Sequence, residues 1–167
     1  MSKVYASHRD LQEKILSGVN KLADNVASTL GPKGRNVLLH RKEGRPIITK
    51  DGVTVANFVD LDDPVENAAA QIIKQAASQT NAVTGDGTTT STVLARAIIT
   101  QAQKYIAAGS SPVELKRGMD KAATEIARKI KEISTPVNSS EEIEHIATIS
   151  ANNDSTIGEL IALAVDR

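Results

Sequence analysis

Gly85-Asp86-Gly87-Thr88-Thr89-Thr90 is the stretch on which the reading of this chain turns. Two glycines flank a carboxylate immediately before a strongly periodic segment, Thr88 to Ala108, in which Val93, Leu94, Ala97, Ile98 and Ile106 recur at helical spacing. A helix start carries unpaired backbone N–H groups and positive dipole potential, which suits a phosphate. Gly85 and Gly87 allow the backbone to approach it closely. A carboxylate beside phosphate makes sense when a hard cation lies between them, an arrangement Mg²⁺ favours, and the three threonine hydroxyls could serve either group. From the hexapeptide alone, a capped helix following a glycine turn is an equally good account.

Outward from this point the pattern is mainly helical. Upstream, Leu11, Ile15, Leu16, Val19, Leu22, Ala23, Val26 and Leu30 mark one face of a long amphipathic helix that ends before Gly31-Pro32. Asn36 to His40 and Arg45 to Thr49 are β-favouring runs that predict a hairpin turning at Arg41 to Gly44. The next helix starts at Asp63-Pro64, with Glu66 placed to complete a capping box and an expected apolar face of Val65, Ala69, Ile72, Ile73, Ala76 and Ala77. Downstream, Gly109 stops the 88–108 helix. Ser111, Pro112 and Glu114 open another helix, whose expected buried stripe is Leu115, Met119, Ala122, Ile126, Ile130 and Ile133. Thr135-Pro136 with Asn138-Ser139-Ser140 is the one convincing linker, which sets expected domains at 1–135 and 136–167. Two short helices follow, at 141–149 and 155–165.

Composition narrows the function classes. The 167 residues carry 20 lysine plus arginine against 20 aspartate plus glutamate, so no net field draws the chain to nucleic acid or to an anionic membrane. Aromatics make up 2%, too few for base stacking, and the core must come from Ala, Val, Ile and Leu. Cysteine is absent, which removes disulfides and thiolate sites and is compatible with a reducing cytosol. No run reaches the apolar length of a spanning helix, and Met1 to Asp10 lacks a signal-peptide core. The expectation is a soluble cytoplasmic protein with neither nucleic-acid nor membrane partners. His8, His40 and His145 lack ligand spacing, and helix capping accounts for Asp60, Asp62, Asp63 and Glu66.

Two further glycine-bearing segments are ambiguous alone. Thr29-Leu30-Gly31-Pro32-Lys33-Gly34-Arg35-Asn36 lacks P-loop spacing and by itself is a helix stop and turn. Ile48-Thr49-Lys50-Asp51-Gly52 by itself is the end of a hairpin at an Asp-Gly turn. Together with Gly85 to Thr90 and Thr148-Ile149-Ser150-Ala151-Asn152, they resemble the signatures of a group I (GroEL-type) chaperonin in order and separation, over essentially the whole chain. Group II chaperonins share Gly-Asp-Gly-Thr, whereas the Lys-Gly-Arg-Asn and Thr-Lys-Asp-Gly versions resemble group I.

The resemblance implies an equatorial-domain helical bundle with a small β-hairpin, leading at Pro136 into an intermediate domain. It implies ATP, Mg²⁺ and K⁺ as cofactors. By similarity, Thr29, Leu30, Gly31 and Pro32 contact nucleotide, and the Lys50 backbone with Thr29 and Thr89 holds K⁺. Asp86 holds Mg²⁺, with Gly85, Gly87, Thr88, Thr89 and Thr90 cradling the phosphates. Asp51 is implied as a catalytic residue near the γ-phosphate that helps position or polarise the attacking water, the principal catalytic aspartate lying in a later segment of such subunits, and Ile149 belongs to an intermediate-domain surface closing over the nucleotide. Lys104 and Ala108 resemble inter-ring positions, with a solvated helix end an equally good account, and Lys3-Val4-Tyr5 resembles a strand that pairs between neighbours. The implied function is ATP-dependent protein folding in a homo-oligomeric ring of heptameric type, single or double, with a co-chaperonin and unfolded proteins as partners.

In such subunits the equatorial domain is built from both chain ends, so a chain stopping at Arg167 is expected to hydrolyse ATP poorly or not at all. The alternative from another class is a non-hydrolysing interaction protein that docks on or regulates a chaperonin ring.

Overall fold

The computed structural model describes residues 7–40 and 44–165. The Lys3-Val4-Tyr5 strand and most of the Arg41 to Gly44 turn lie outside the described residues. Seven helices and one antiparallel hairpin are seen among them: α1 (His8–Ala27), β1 (Val37–Leu39), β2 (Ile47–Thr49), α2 (Gly52–Phe58), α3 (Pro64–Thr84), α4 (Thr88–Ala107), α5 (Pro112–Ile133), α6 (Ser140–Ser150) and α7 (Ser155–Val165). The expected mainly helical class with a small hairpin is what forms, and the hairpin pairs Val37 with Thr49, Leu38 with Ile48 and Leu39 with Ile47.

The chain folds as two compact units, residues 1–112 and 113–167. In the first, α1, α2, α3 and α4 enclose a core of Val19, Leu22, Val26, Val55, Ala56, Ala69, Ala70, Ile73 and Ala77, against which Ala95 and Ile99 pack. Small residues on α3 let the helices approach closely. The tightest approach is at Gly18, where a Cβ would overlap the backbone carbonyl of Glu66, so α1 and α3 meet there main chain to main chain.

Ion pairs reinforce this contact. Lys14 Nζ donates to Asp63 Oδ2 at 2.7 Å, Ser17 Oγ donates to Glu66 Oε1 at 2.8 Å, and Lys21 pairs with the other Glu66 oxygen. Here the structure departs from expectation. Asp63 caps α3 as foreseen, accepting from Val65 N at 2.9 Å and Glu66 N at 3.1 Å, with Pro64 in the first turn. Glu66, however, turns to α1 instead of closing a capping box, because two α1 donors stand beside it.

The apolar faces of α3 and α4 differ from expectation. Ile72 on α3 is 62% exposed and Ala70 takes its place in the core. On α4, Leu94 and Ile98 are 57% and 54% exposed, and the inward line is Thr88, Thr92, Ala95 and Ile99. Threonine fits this face because Thr92 Oγ1 donates to Thr88 O at 2.9 Å, which satisfies its hydroxyl within the helix.

In the second unit α6 and α7 form a helical hairpin. The capping box appears here, with Ser139 Oγ accepting from Glu142 N at 3.2 Å and Glu142 Oε2 accepting from Ser139 N at 3.2 Å. Backbone donors from Asn138 and Ser139 hold the Glu142 carboxyl below its ordinary range. The connection turns through two left-handed asparagines, Asn152 and Asn153. At the helix crossing a Cβ on Gly158 would overlap the Thr148 hydroxyl. No residue of α5 is buried, so its expected buried stripe faces outward, while ion pairs such as Lys116–Asp120 and Arg117–Glu114 line other positions.

Candidate functional site

Three chain segments converge at the first turn of α4. The first follows α1, where Ser28 N bonds Asp24 O, Thr29 N bonds Val26 O and Leu30 N bonds Ala27 O, closing the helix in tight turns. Gly31 then takes a φ of 74°, which glycine adopts without strain. Gly34 N and Arg35 N return bonds to Gly31 O and Ser28 O at 2.9 Å each, folding the segment back on itself. Thr29 is left buried, its hydroxyl donating to Val26 O at 2.8 Å and lying 3.3 Å from Thr89 Oγ1.

The second segment is the Lys50-Asp51-Gly52 junction. The sequence alone offered a hairpin end at this point, whereas the structure begins a helix there. Asp51 is the N-cap of α2, with Oδ2 accepting from Thr54 N at 2.8 Å and Thr54 Oγ1 at 2.5 Å. Its own N–H is fixed on Thr49 Oγ1 at 3.0 Å. The overlooked signal was the Asp51-x-x-Thr54 spacing, an Asx cap obscured by the Asp-Gly dipeptide. Gly52 is buried against α4, where an added Cβ would overlap Thr89 Oγ1 and stand 3.2 Å from Thr88 Oγ1.

The third is the hexapeptide. Gly85 ends α3 in the left-handed region at φ 71°, its N–H bonded to Asn81 O at 3.0 Å. Gly87 precedes α4 at φ 79°, also left-handed, and offers no side-chain cap. The α4 ladder begins with Ser91 N on Gly87 O at 2.9 Å, so the preceding N–H groups of the first turn have no partner one helical turn back. Asp86 sits exposed between the glycines, Oδ1 accepting from Gly87 N at 2.6 Å. Thr84 Oγ1 donates to Asp86 O at 2.9 Å, fixing the turn from behind.

Thr89 is thus flanked by Thr29 and Gly52, with Thr88 beside Gly52 and Asp51 and Asp86 at the two adjoining junctions. Leu30 and Ile149 are exposed, and Ile149 belongs to the second unit. Among the described residues no three His, Asp or Glu side chains gather as a metal cluster. The donor set instead suits a cation held by a single carboxylate together with ligand oxygens, as Mg²⁺ is held beside phosphates.

Residues 22–167 match the model of the TCP-1/cpn60 chaperonin family. The chain belongs to the TCP-1/cpn60 chaperonin family. Its fold is similar to that of a group III chaperonin crystallised in the open state, with a TM-score of 0.77 and 27% identity over 93% of this chain. The matched region is 31% of that chaperonin's length. By family and fold, this chaperonin chain corresponds to the N-terminal equatorial part of a subunit. No helix among the described residues is long and apolar enough to cross a membrane.

Proposed function

We propose that this chaperonin chain binds Mg·ATP at the first turn of α4 and is the nucleotide-sensing portion of an ATP-driven folding subunit of group I type. The observation that carries the reading is the pair of left-handed glycines around Asp86, which open the α4 amides and set a carboxylate beside them. Backbone donors and the helix dipole favour the phosphates. Asp86 supplies the anionic ligand for Mg²⁺, whose charge would screen the carboxylate from the phosphates. The adjacent Thr29 and Thr89 hydroxyls, with the Lys50 carbonyl, supply neutral oxygens suited to K⁺. Gly31 and Pro32, with Leu30, border the nucleotide, and Ile149 serves the closing surface.

For Asp51 the proposed role is to orient and polarise the attacking water. Its cap to Thr54 leaves Oδ1 outside those two bonds and holds the carboxylate steady, as placement-dominated phosphoryl transfer requires. Folding assistance, ring assembly, and co-chaperonin and substrate binding extend this proposal to the longer subunit, as does the division at residue 135. The chain alone is expected to turn over little ATP.

Calorimetric titration of the 167-residue chain with Mg·ATP in potassium buffer tests the proposal. Binding that Asp86→Ala weakens by tenfold or more is expected, and a wild-type chain indifferent to Mg·ATP would sink it. A phosphate-release assay addresses hydrolysis separately, and brisk turnover abolished by Asp86→Ala would contradict the low activity proposed.

A further inference from the structure

We propose that Gly52 is a positioning residue for the Thr89 hydroxyl, an inference that rests on the nucleotide reading of the α4 turn. Gly52 is the first residue of α2 and is buried. Its backbone lies outside the left-handed region, so nothing in its own conformation calls for glycine. In a helix alanine would ordinarily be the better residue. What excludes a side chain is the neighbour, since a Cβ would overlap Thr89 Oγ1 and come within 3.2 Å of both Thr89 Cβ and Thr88 Oγ1.

The Thr89 hydroxyl is therefore bounded on two sides. Thr29 Oγ1 stands 3.3 Å away on one, and the bare Cα of Gly52 closes the other. A helical threonine ordinarily divides between two χ1 rotamers because its hydroxyl can bond a carbonyl one turn back. Thr89 lies in the first turn of α4 and its Oγ1 approaches Thr29 instead. The missing methyl at 52 is what lets Oγ1 keep its place beside Thr29 Oγ1, one of the oxygens that would surround K⁺. Thr29 itself is buried with its hydroxyl on Val26 O, so it cannot follow a displaced Thr89 without giving up that bond.

The experiment uses the full 167-residue chain and its Gly52→Ala variant. Three-bond couplings from the Thr89 methyl carbon report χ1 in the ligand-free protein, and calorimetry with Mg·ATP in potassium chloride and in choline chloride reports affinity. Gly52→Ala is expected to change the Thr89 rotamer. It should also weaken Mg·ATP binding in potassium about tenfold, the scale of one lost polar contact, and bring the potassium-to-choline affinity ratio close to one. A role confined to stability would leave that ratio at its wild-type value, and this result overturns the proposal, as do unchanged Thr89 couplings. If Gly52→Ala does not fold, the Gly52→Ala/Thr89→Ala double variant should fold, because the obstructing oxygen is gone; continued failure to fold also overturns it. A wild-type chain that binds no Mg·ATP overturns the nucleotide reading and this inference together, whereas normal wild-type binding matched by Gly52→Ala removes the Gly52 role alone.

Discussion

Gly85 and Gly87 occupy backbone conformations that cost an alanine roughly 1–2 kcal/mol each. Neither meets a packing obstacle, since the nearest atom to a Cβ on Gly87 is Thr80 Cγ2 at 3.9 Å and nothing approaches one on Gly85. Gly85→Ala should therefore lower stability by about that amount in chemical denaturation, through backbone strain without a clash. Asp51 carries two duties that a pair of substitutions separates. Asparagine caps a helix about as well as aspartate, whereas alanine typically costs about 1 kcal/mol. Asp51→Asn should keep the unfolding midpoint near wild type while Asp51→Ala lowers it, and equal losses in the two would mean that the bond to Thr54 contributes little. At this scale the sequence was informative about chemistry and poor about contact. Gly85 to Thr90 was visible as a site, but nothing in the spacing of residues 29, 52 and 89 reveals that their atoms touch.

At the level of elements, the start of α3 is fastened to α1 by groups whose titration sets a pH profile. The Lys14 hydrogen bond, followed by the Glu66 amide, holds the Asp63 carboxyl below its ordinary value. Lys21, followed by Ser17, does the same for Glu66. Asp63 in turn raises the Lys14 ammonium. A depressed carboxyl stabilises fully above its unfolded pKa, and that contribution is lost as pH falls through the folded value. The raised lysine contributes fully below its unfolded pKa and loses its contribution as pH rises through the folded value. A stability plateau at neutral pH with losses on both flanks should appear in thermal melts. Lys14→Met should flatten part of both slopes, and a profile identical to wild type would show the fastening to be inert. Helix α2 shows why some elements escaped the sequence. At seven residues it is too short for a decisive period, and its Asp-Gly start doubles as a turn signal. On α4, Leu94 and Ile98 are more apolar than the threonines that face inward, so apolarity pointed to the wrong side of a correctly placed helix.

At the scale of the molecule, the main core among the described residues lies in α1 through α4 with Leu39 of β1 also buried, and the described helices of the second unit contribute only Ala147, Gly158 and Ala162 as buried residues. The apolar stripe of α5 is exposed, with Ile126 and Ile130 at 57% and 58%. The double substitution Ile126→Lys/Ile130→Lys should accordingly shift the unfolding free energy of this chain by no more than about 0.5 kcal/mol per site, the range for surface positions. A larger loss in denaturant titration would mean that the stripe is packed in solution. The helical class and the order of the longer helices were legible because α3, α4 and α6 carry caps or glycine stops that local chemistry dictates. Which faces meet is a property of three dimensions. The Gly18 contact shows what such meeting does. With main chain seated on main chain, any side chain at 18 would force α1 and α3 apart at this crossing. Thr29 follows the end of α1 and Gly85 the end of α3, so two of the segments that meet at the α4 turn are carried by helices that a side chain at 18 would drive apart.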